Sequence, residues 1–227
     1  MISSHRRLAS VAAVACCAVP AAGALAAQAS AATLAANQAC YVNLNPTKGA
    51  AMSITGTGFV PGTTVQLTGG TTFGNAVADA SGNVLIQTQA PTLSSFGPGQ
   101  KAFVLTATAD NPDGTQTTAN VSVMSANLAV ETSPRSVKNV RKDKVTFSFS
   151  GFTPGKHIYG YYLRKKVVAK VKFGKAKGPC GTLKEKALLF PGGHPSHDSY
   201  KVTFENTSKY SKKAFPNVTG TLSIFHF

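Results

Sequence analysis

A five-residue segment occurs twice in the chain, and this repetition constrains the fold more than any other feature. Gly58-Phe59-Val60-Pro61-Gly62 returns as Gly151-Phe152-Thr153-Pro154-Gly155. Each copy lies between two runs in which apolar and polar side chains alternate. Proline followed by glycine suits a tight turn, because proline fixes φ and glycine tolerates positive φ. The repetition therefore predicts two copies of one structural unit, each with a phenylalanine that caps its core.

The alternating runs continue through the rest of the chain and are typical of half-buried β-strands. Turn signals such as Ser81-Gly82-Asn83 and Pro191-Gly192-Gly193 separate the runs, and no segment keeps a helical period. With about seven strands in each ~95 residues, the sequence predicts an all-β protein of two tandem immunoglobulin-like Greek-key sandwiches. The predicted domains are residues 32–126 and residues 127–227.

The first copy is part of the longer segment Gly56-Thr57-Gly58-Phe59-Val60-Pro61-Gly62-Thr63-Thr64-Val65. In this segment the chain resembles the bacterial secreted proteins with immunoglobulin-like domains that are common in actinobacteria. The second copy departs from the pattern, with Phe149 in place of the first glycine. The resemblance implies an exported protein built from such sandwiches. It implies little about activity, because sandwiches host many functions.

Residues 1–31 are predicted to be a secretory signal peptide. Basic residues near the start precede an apolar, alanine-rich stretch and then small-residue A-x-A sites. Cleavage there places the mature protein outside the cytoplasm, either free or associated with the cell wall. The alternatives are a retained membrane anchor and lipidation at Cys16, where the preceding residues loosely match a lipobox. The expected cleavage sites follow Ala29, Ala31 or Ala32.

The chain has 23 Lys+Arg against 8 Asp+Glu, and the excess is confined to its second half. Residues 38–125 contain two bases and three acids, whereas residues 126–227 contain 19 bases and five acids. This asymmetry predicts attraction to an anionic cell-wall polymer, an acidic polysaccharide or lipid head groups. Lysine predominates and acts as a point charge, so no specific nucleic-acid recognition is expected. The alternative is that the lysines serve only solubility and block edge-to-edge pairing.

Residues 157–173 are predicted to form a β-hairpin whose lysines share one face. In its second strand Val167, Ala169, Val171 and Phe173 point to one side, and the lysines point to the other. Tyr159 and Tyr161 either stack on a ligand or pack against the protein, as large aromatic side chains usually do. The predicted anion-binding residues are Arg164, Lys165, Lys166, Lys170, Lys172, Lys175 and Lys177.

Only Cys40 and Cys180 remain after removal of the signal peptide. Two thiols outside the cell most often pair, so a disulfide is predicted. The two cysteines belong to different predicted domains, and a disulfide needs Cα atoms within about 7 Å. In an extended tandem the first strand begins far from the second domain, so pairing is expected to require domains that fold back side by side. Free thiols and an intermolecular bond are the alternatives.

No motif indicates catalysis, and neither enzyme activity nor a cofactor is expected. The segment from His194 to Asp198 resembles a zinc site or a Ser-His-Asp group, but it lacks a clear third metal ligand. Neighbours along a loop also rarely converge into a catalytic triad. The chain is predicted to be a secreted, non-catalytic binding or structural protein whose basic domain holds an anionic polymer. An inert spacer, and a hydrolase or metal site in this loop, are the alternatives.

Overall fold

The computed structural model of the chain describes residues 31–139, 142–192 and 198–224, so nearly all of the predicted signal peptide lies outside the described residues. All regular secondary structure within these ranges is β, which confirms the all-β prediction. The strands of the first half are β1 Thr33–Ala36, β2 Tyr41–Asn43, β3 Ala51–Thr57, β4 Thr64–Thr68, β5 Thr72–Val77, β6 Val84–Gln89, β7 Gln100–Asp110 and β8 Gln116–Asn127. Those of the second half are β9 Ala129–Ser133, β10 Lys144–Ser150, β11 His157–Leu163, β12 Val167–Lys175, β13 Leu183–Leu188, β14 Asp198–Glu205 and β15 Asn217–Ile224.

Each half builds two sheets from its own strands. In the first half a sheet of order β1-β3-β6 accompanies one of order β2-β8-β7-β4-β5. In the second half a sheet of order β9-β10-β13 accompanies one of order β12-β11-β14-β15. The strands of both halves pair antiparallel, except that β2 runs parallel to β8.

Two clusters of buried apolar side chains fill the two halves and share no member. The first cluster is mainly aliphatic, with Ile54 and Leu67 completely buried. The second is aromatic, and Phe173 packs against Phe147 and Phe149 with ring centroids 5.0 and 4.9 Å away. Such aromatic pairs add about 0.5–1.5 kcal/mol each to the stabilisation from burial alone. Because the two clusters share no member, each core is built from the residues of its own half.

The repeated five-residue segment has the same geometry in both halves. Its phenylalanine, Phe59 or Phe152, is buried in the core of its own half. The backbone N–H of each phenylalanine donates to a glycine carbonyl across the loop, at Gly82 or Gly181, over 3.2 Å in both cases. The last glycine of each copy has positive φ, 79° in the first and 75° in the second. In both halves the segment therefore forms a turn that is held to the core by its phenylalanine and to a second loop by a backbone hydrogen bond.

Between β8 and β9 the chain has a single residue, Leu128, as the linker of the two halves. Hydrogen bonds also cross between the halves. The Ser150 hydroxyl donates to the Asn127 carbonyl at 2.6 Å and accepts from the Gly99 N–H at 3.1 Å. A Cβ placed on Gly151 would lie 2.8 Å from the Val42 side chain of the first half. The junction is therefore closely packed, because a larger residue at position 151 would have to displace its neighbours.

Cys40 and Cys180 form a disulfide across this junction, with their Cα atoms 5.3 Å apart. Cys40 was expected at the far end of the first half, but it lies beside β2, which runs parallel to β8 toward the junction. The Cys180 carbonyl accepts from the N–H of Gly151 at 2.9 Å, so its loop lies at the same junction. Folding back of the halves is therefore not what brings the two cysteines together.

Candidate anion-binding surface

Strands β11 and β12 form the predicted hairpin, and β12 alternates between buried and exposed side chains in its second part. Val171 and Phe173 point toward the core, whereas Lys170 and Lys172 are exposed on the outward face. The alternation fails at the start of the strand, where Val167, predicted to point inward, is 38% exposed. The register between β11 and β12 shifts at this point, so side-chain directions no longer follow a simple period of two.

Lys170 is held against two tyrosines of the neighbouring strand. Its Nζ lies 4.8 Å from the ring centroid of Tyr159 and 5.6 Å from that of Tyr161, within the range of cation–π attraction. The same ammonium donates to the Ser208 carbonyl at 2.5 Å. Tyr161 is only 2% exposed, so it packs against the protein and has no free face for a ligand. Lys170 therefore combines a positive charge with a structural role.

The connection between β14 and β15, residues 206–216, is fastened to this outward face. The Tyr161 hydroxyl donates to the Thr207 carbonyl at 2.7 Å, and its ring lies 5.6 Å from that of Tyr210. Oε1 of Glu205 accepts from the Thr207 hydroxyl at 2.6 Å and from the Ser211 N–H at 3.1 Å. These bonds fix the connection over β11. The connection carries three exposed lysines, Lys209, Lys212 and Lys213.

We call the exposed lysines of β12's second part and of this connection the basic face, namely Lys170, Lys172, Lys209, Lys212 and Lys213. Lys209, Lys212 and Lys213 were not among the predicted anion-binding residues, although three lysines within the five residues 209–213 form a visible charge run. Their association with Lys170 depends on contacts between residues far apart in the chain. The basic face is thus larger than the hairpin that was predicted.

The described acidic side chains of the second half form no ion pair with the lysines of the basic face. Glu205 is completely buried, and Oε2 of Glu185 accepts the Gly174 N–H at 2.6 Å. Glu131 forms an ion pair with Arg135 at 2.6 Å, and that is the one such pair between side chains in the described ranges. The Glu205 carboxylate is bound to the connection itself, and Lys170 is engaged by the tyrosines and Ser208. The other four lysines of the basic face are exposed and available to an external anion.

The other predicted anion-binding residues lie outside the basic face. Arg164, Lys165 and Lys166 form the hairpin turn, and the Arg164 N–H donates to the Lys166 carbonyl at 3.1 Å. Lys175 pairs with His157 at the far end of β12. Lys177 lines a separate cleft of about 360 Å³ where the two halves meet. The structure thus joins Lys170 and Lys172 on one surface and distributes the remaining five cations around it.

Lys184 and Lys186 belong to a different surface. They lie on β13, opposite Ser148 and Thr146 of β10, and both are exposed on the outward side of the other sheet. Because they carry the same charge as the lysines of the basic face but point away from it, they are suitable control positions for experiments on that face.

The phenol of Tyr161 couples the connection 206–216 to pH. Burial, and next the negative charge of Glu205, raise the pKa of Tyr161 from 10.0 to about 12. In the unfolded chain the phenol ionises near 10, so its stabilising contribution is complete below pH 10 and is lost as pH rises from 10 to 12.

We expect the substitution Tyr161→Phe to reduce this loss. At neutral pH the variant is expected to be about 1 kcal/mol less stable, because it lacks the hydrogen bond to Thr207. Above pH 10 its free energy of unfolding should fall less steeply than that of the parent, which urea denaturation at a series of pH values measures. Parallel curves for the two proteins would show that this phenol does not control the alkaline transition.

The side chains that most often bind metal ions do not cluster within the described residues. No group of three or more His, Cys, Asp or Glu side chains among them lies close enough to hold a metal ion. Residues 193–197 and the Asp198 side chain lie outside the described part of the chain, so the loop from His194 to Asp198 has no structural account. Within the described ranges, no helix has the length and apolar character needed to cross a membrane.

No known family model and no curated protein sequence matches the chain. Solved structures similar to it include one concerned with host cell surface retention of a 1.5-MDa bacterial ice-binding adhesin, at 12% identity and a TM-score of 0.32. Another is a Ca²⁺-stabilised adhesin that helps an Antarctic bacterium reach out and bind ice, at 13% identity and a TM-score of 0.31. A third is a tetra-tandem repeat in the extending region of a large adhesion protein, at 13% identity and a TM-score of 0.30.

The alignments with these structures cover 84%, 86% and 85% of this chain, but 62%, 48% and 49% of the respective solved chains. The chain therefore spans less than two thirds of the length of each.

Proposed function

We propose that the chain is a secreted, non-catalytic binding protein of the cell envelope or exterior, and that the basic face holds an anionic polymer. The observation that carries this proposal is the fixed placement of the connection 206–216, which adds three lysines to the two on β12. Clustered charges on a fixed surface attract a polyanion more strongly than the same charges spread over the molecule. Residues 1–31 act as the export signal in this proposal.

The proposal includes two immunoglobulin-like domains, residues 32–126 and residues 127–227. Its support is the strand order, because β9-β10-β13 facing β12-β11-β14-β15 distributes consecutive strands between two sheets in the way an immunoglobulin sandwich does. The first half has a similar order, with β2 added beside the last strand. The separate cores agree with this division.

Reversing charge on the basic face tests the binding proposal. We expect the double variant Lys172→Glu/Lys212→Glu to bind heparin, used here as a soluble polyanion, at least about 30-fold more weakly, since each lysine near an anionic surface contributes about 1 kcal/mol. Its binding should also depend less on salt concentration, because fewer counterions are displaced. Retention on immobilised heparin across a salt gradient, followed by titration in solution, measures both effects.

The matched control is Lys184→Glu/Lys186→Glu, which changes the net charge equally on the other sheet. We expect this variant to lose less than about threefold in affinity, because its charges lie away from the bound polymer. Equal losses in the two variants would mean that total charge and not the basic face governs binding. A parent protein that heparin does not retain at low salt would indicate lysines that serve solubility alone.

A further inference from the structure

The described part of the first half contains a groove of about 640 Å³. It lies between the beginning of β5, the end of β6 and the first residues of β7, together with the loops beside them. Its volume is within the range of about 300–1,000 Å³ that is usual for small-molecule sites. The groove belongs to the near-neutral half, so it is separate from the basic face.

Four polar side chains in the groove have hydrogen-bonding groups that the protein does not use. Thr71, Thr72, Gln89 and Thr92 line it, and none of their side chains has a hydrogen-bond partner within the described residues. By contrast, the hydroxyl of the neighbouring Thr88 donates to the Phe73 carbonyl. Three hydroxyls and an amide can both donate and accept, which suits a ligand that is itself rich in hydroxyl groups.

Two aromatic rings provide apolar contact beside these polar groups. Phe73 and Phe103 line the groove, and both are partly exposed. The ammonium of Lys101 lies 5.2 Å from the Phe103 ring centroid, within the range of cation–π attraction, and so covers one face of that ring. A ligand that covers the rings must present apolar C–H groups to them and hydroxyl groups to the threonines.

Glycines allow the segments that form the walls of the groove to pack closely against their neighbours. A Cβ on Gly69 would lie 2.6 Å from Leu105 and 3.0 Å from Phe73, and a Cβ on Gly49 would lie 1.9 Å from the Ala90 carbonyl oxygen. Side chains at these two positions would therefore force the walls to move. The turn at Gly69 is also fixed, because its N–H donates to the Thr71 carbonyl at 3.0 Å.

The described residues that line the groove are uncharged, and the ammonium of Lys101 lies beside it, 5.2 Å from the Phe103 ring centroid. One lysine contributes only about 1 kcal/mol to holding a polyanion. A purely apolar ligand would leave the polar groups without partners, at a cost of about 1–3 kcal/mol each. A neutral sugar has both an apolar C–H face and a ring of hydroxyl groups.

We propose that this groove binds a neutral polysaccharide. The Phe73 and Phe103 rings contact the C–H face of a pyranose unit, and Thr71, Thr72, Gln89 and Thr92 exchange hydrogen bonds with its hydroxyls. The chain then has two recognition surfaces, a neutral one in the first half and a cationic one in the second. A protein with both could join a neutral glycan to an anionic polymer.

Methyl NMR on the full chain tests the site directly. Threonine-methyl-labelled protein is titrated separately with cellohexaose, maltohexaose and mannohexaose. We expect at least one of these neutral sugars to shift the methyl signals of Thr71, Thr72 and Thr92 in a saturable manner. Heparin should leave those three signals unchanged, which separates this site from the basic face. The site is disproved if all three sugars leave the groove signals in place, or if heparin shifts them as strongly as a sugar.

The variant Thr72→Val/Gln89→Leu then tests the assigned residues. Removing two hydrogen-bonding groups is expected to weaken binding of the active sugar at least tenfold. Thr64→Val is the control, because Thr64 is an exposed threonine of β4 that does not line the groove, and its affinity should equal that of the parent. Undiminished affinity in the double variant, with its methyl spectrum still that of a folded protein, would overturn the assignment.

Discussion

A chain in which Cys40 and Cys180 are both replaced by alanine is expected to lose about 5 kcal/mol in its free energy of unfolding at 25 °C. The cysteines are 140 residues apart, and the chain-entropy relation for closing a loop of that length gives this value. If the first half stays folded while the second unfolds, the flexible part of the loop is only residues 128–180, and the same relation gives about 4 kcal/mol. The expected loss in free energy of unfolding is therefore large whether the two halves unfold together or the second half unfolds first.

Denaturant titration of parent and variant, each with and without a thiol reductant, measures this effect. The reductant should shift the midpoint of the parent to that of the variant and leave the variant itself unchanged, because the variant has no cross-link to lose. Coincident midpoints for the oxidised parent and the variant would contradict the prediction. They would mean that the contacts of Ser150 and Gly151 alone hold the junction.

The regular parts of the fold were predictable because they follow local rules. Alternation of apolar and polar residues predicted the hairpin of β11 and β12. As a period of two requires, Phe173 points toward the core and its neighbour Lys172 points outward. The exception at Val167 arises from a register shift, which depends on how β11 meets its partner strand and has no signature in the β12 sequence. The repeated Gly-Phe-x-Pro-Gly segment predicted two similar units, and both copies have the same hydrogen bonds.

The position of Cys40 was not predictable from the same rules. The chain leaves β1 at Ala36 and starts a new strand at Tyr41. Strand β2 has only three residues, which is too short for alternation to be recognised. Its parallel pairing with β8 is a contact between residues more than 80 positions apart, since Tyr41 pairs with Ser125. Only the three-dimensional structure shows that this strand approaches the junction.

The two proposed binding surfaces depend even more on distant contacts. The basic face exists because Lys170 reaches the carbonyl of Ser208, 38 residues away, and Tyr161 reaches that of Thr207, 46 residues away. The charge run at residues 209–213 was visible in the sequence, but its location was not. The groove has no sequence signature at all, because its threonines lie on separate segments and threonine is frequent in exposed strands.

The second large effect is expected from Gly181→Ala, which should lower the free energy of unfolding by at least about 4 kcal/mol. Single substitutions reach losses of this size only where a specific structural conflict arises. Gly181 has a φ of 59°, and a Cβ on it would lie 1.5 Å from the carbonyl oxygen of Phe152. That oxygen belongs to the backbone of the repeated segment, so relief requires movement of the whole turn. The movement would also strain the disulfide, since Cys180 is the preceding residue.

Gly178→Ala is the matched control. Gly178 lies in the same loop and also has a positive φ, but a side chain there would not collide with another part of the protein. Gly178 has a φ of 65°, and a Cβ there would meet nothing within 4 Å, so alanine should cost only about 1 kcal/mol of left-handed strain.

The first half offers the same comparison, since a Cβ on Gly82 would lie 2.4 Å from the Phe59 carbonyl oxygen whereas one on Gly62 would meet nothing within 4 Å. Thermal and denaturant unfolding of the four variants measures both pairs. A large difference within each pair would show that the turns of both halves depend on the same approach of glycine to phenylalanine, and equal costs would leave positive φ as the whole cause.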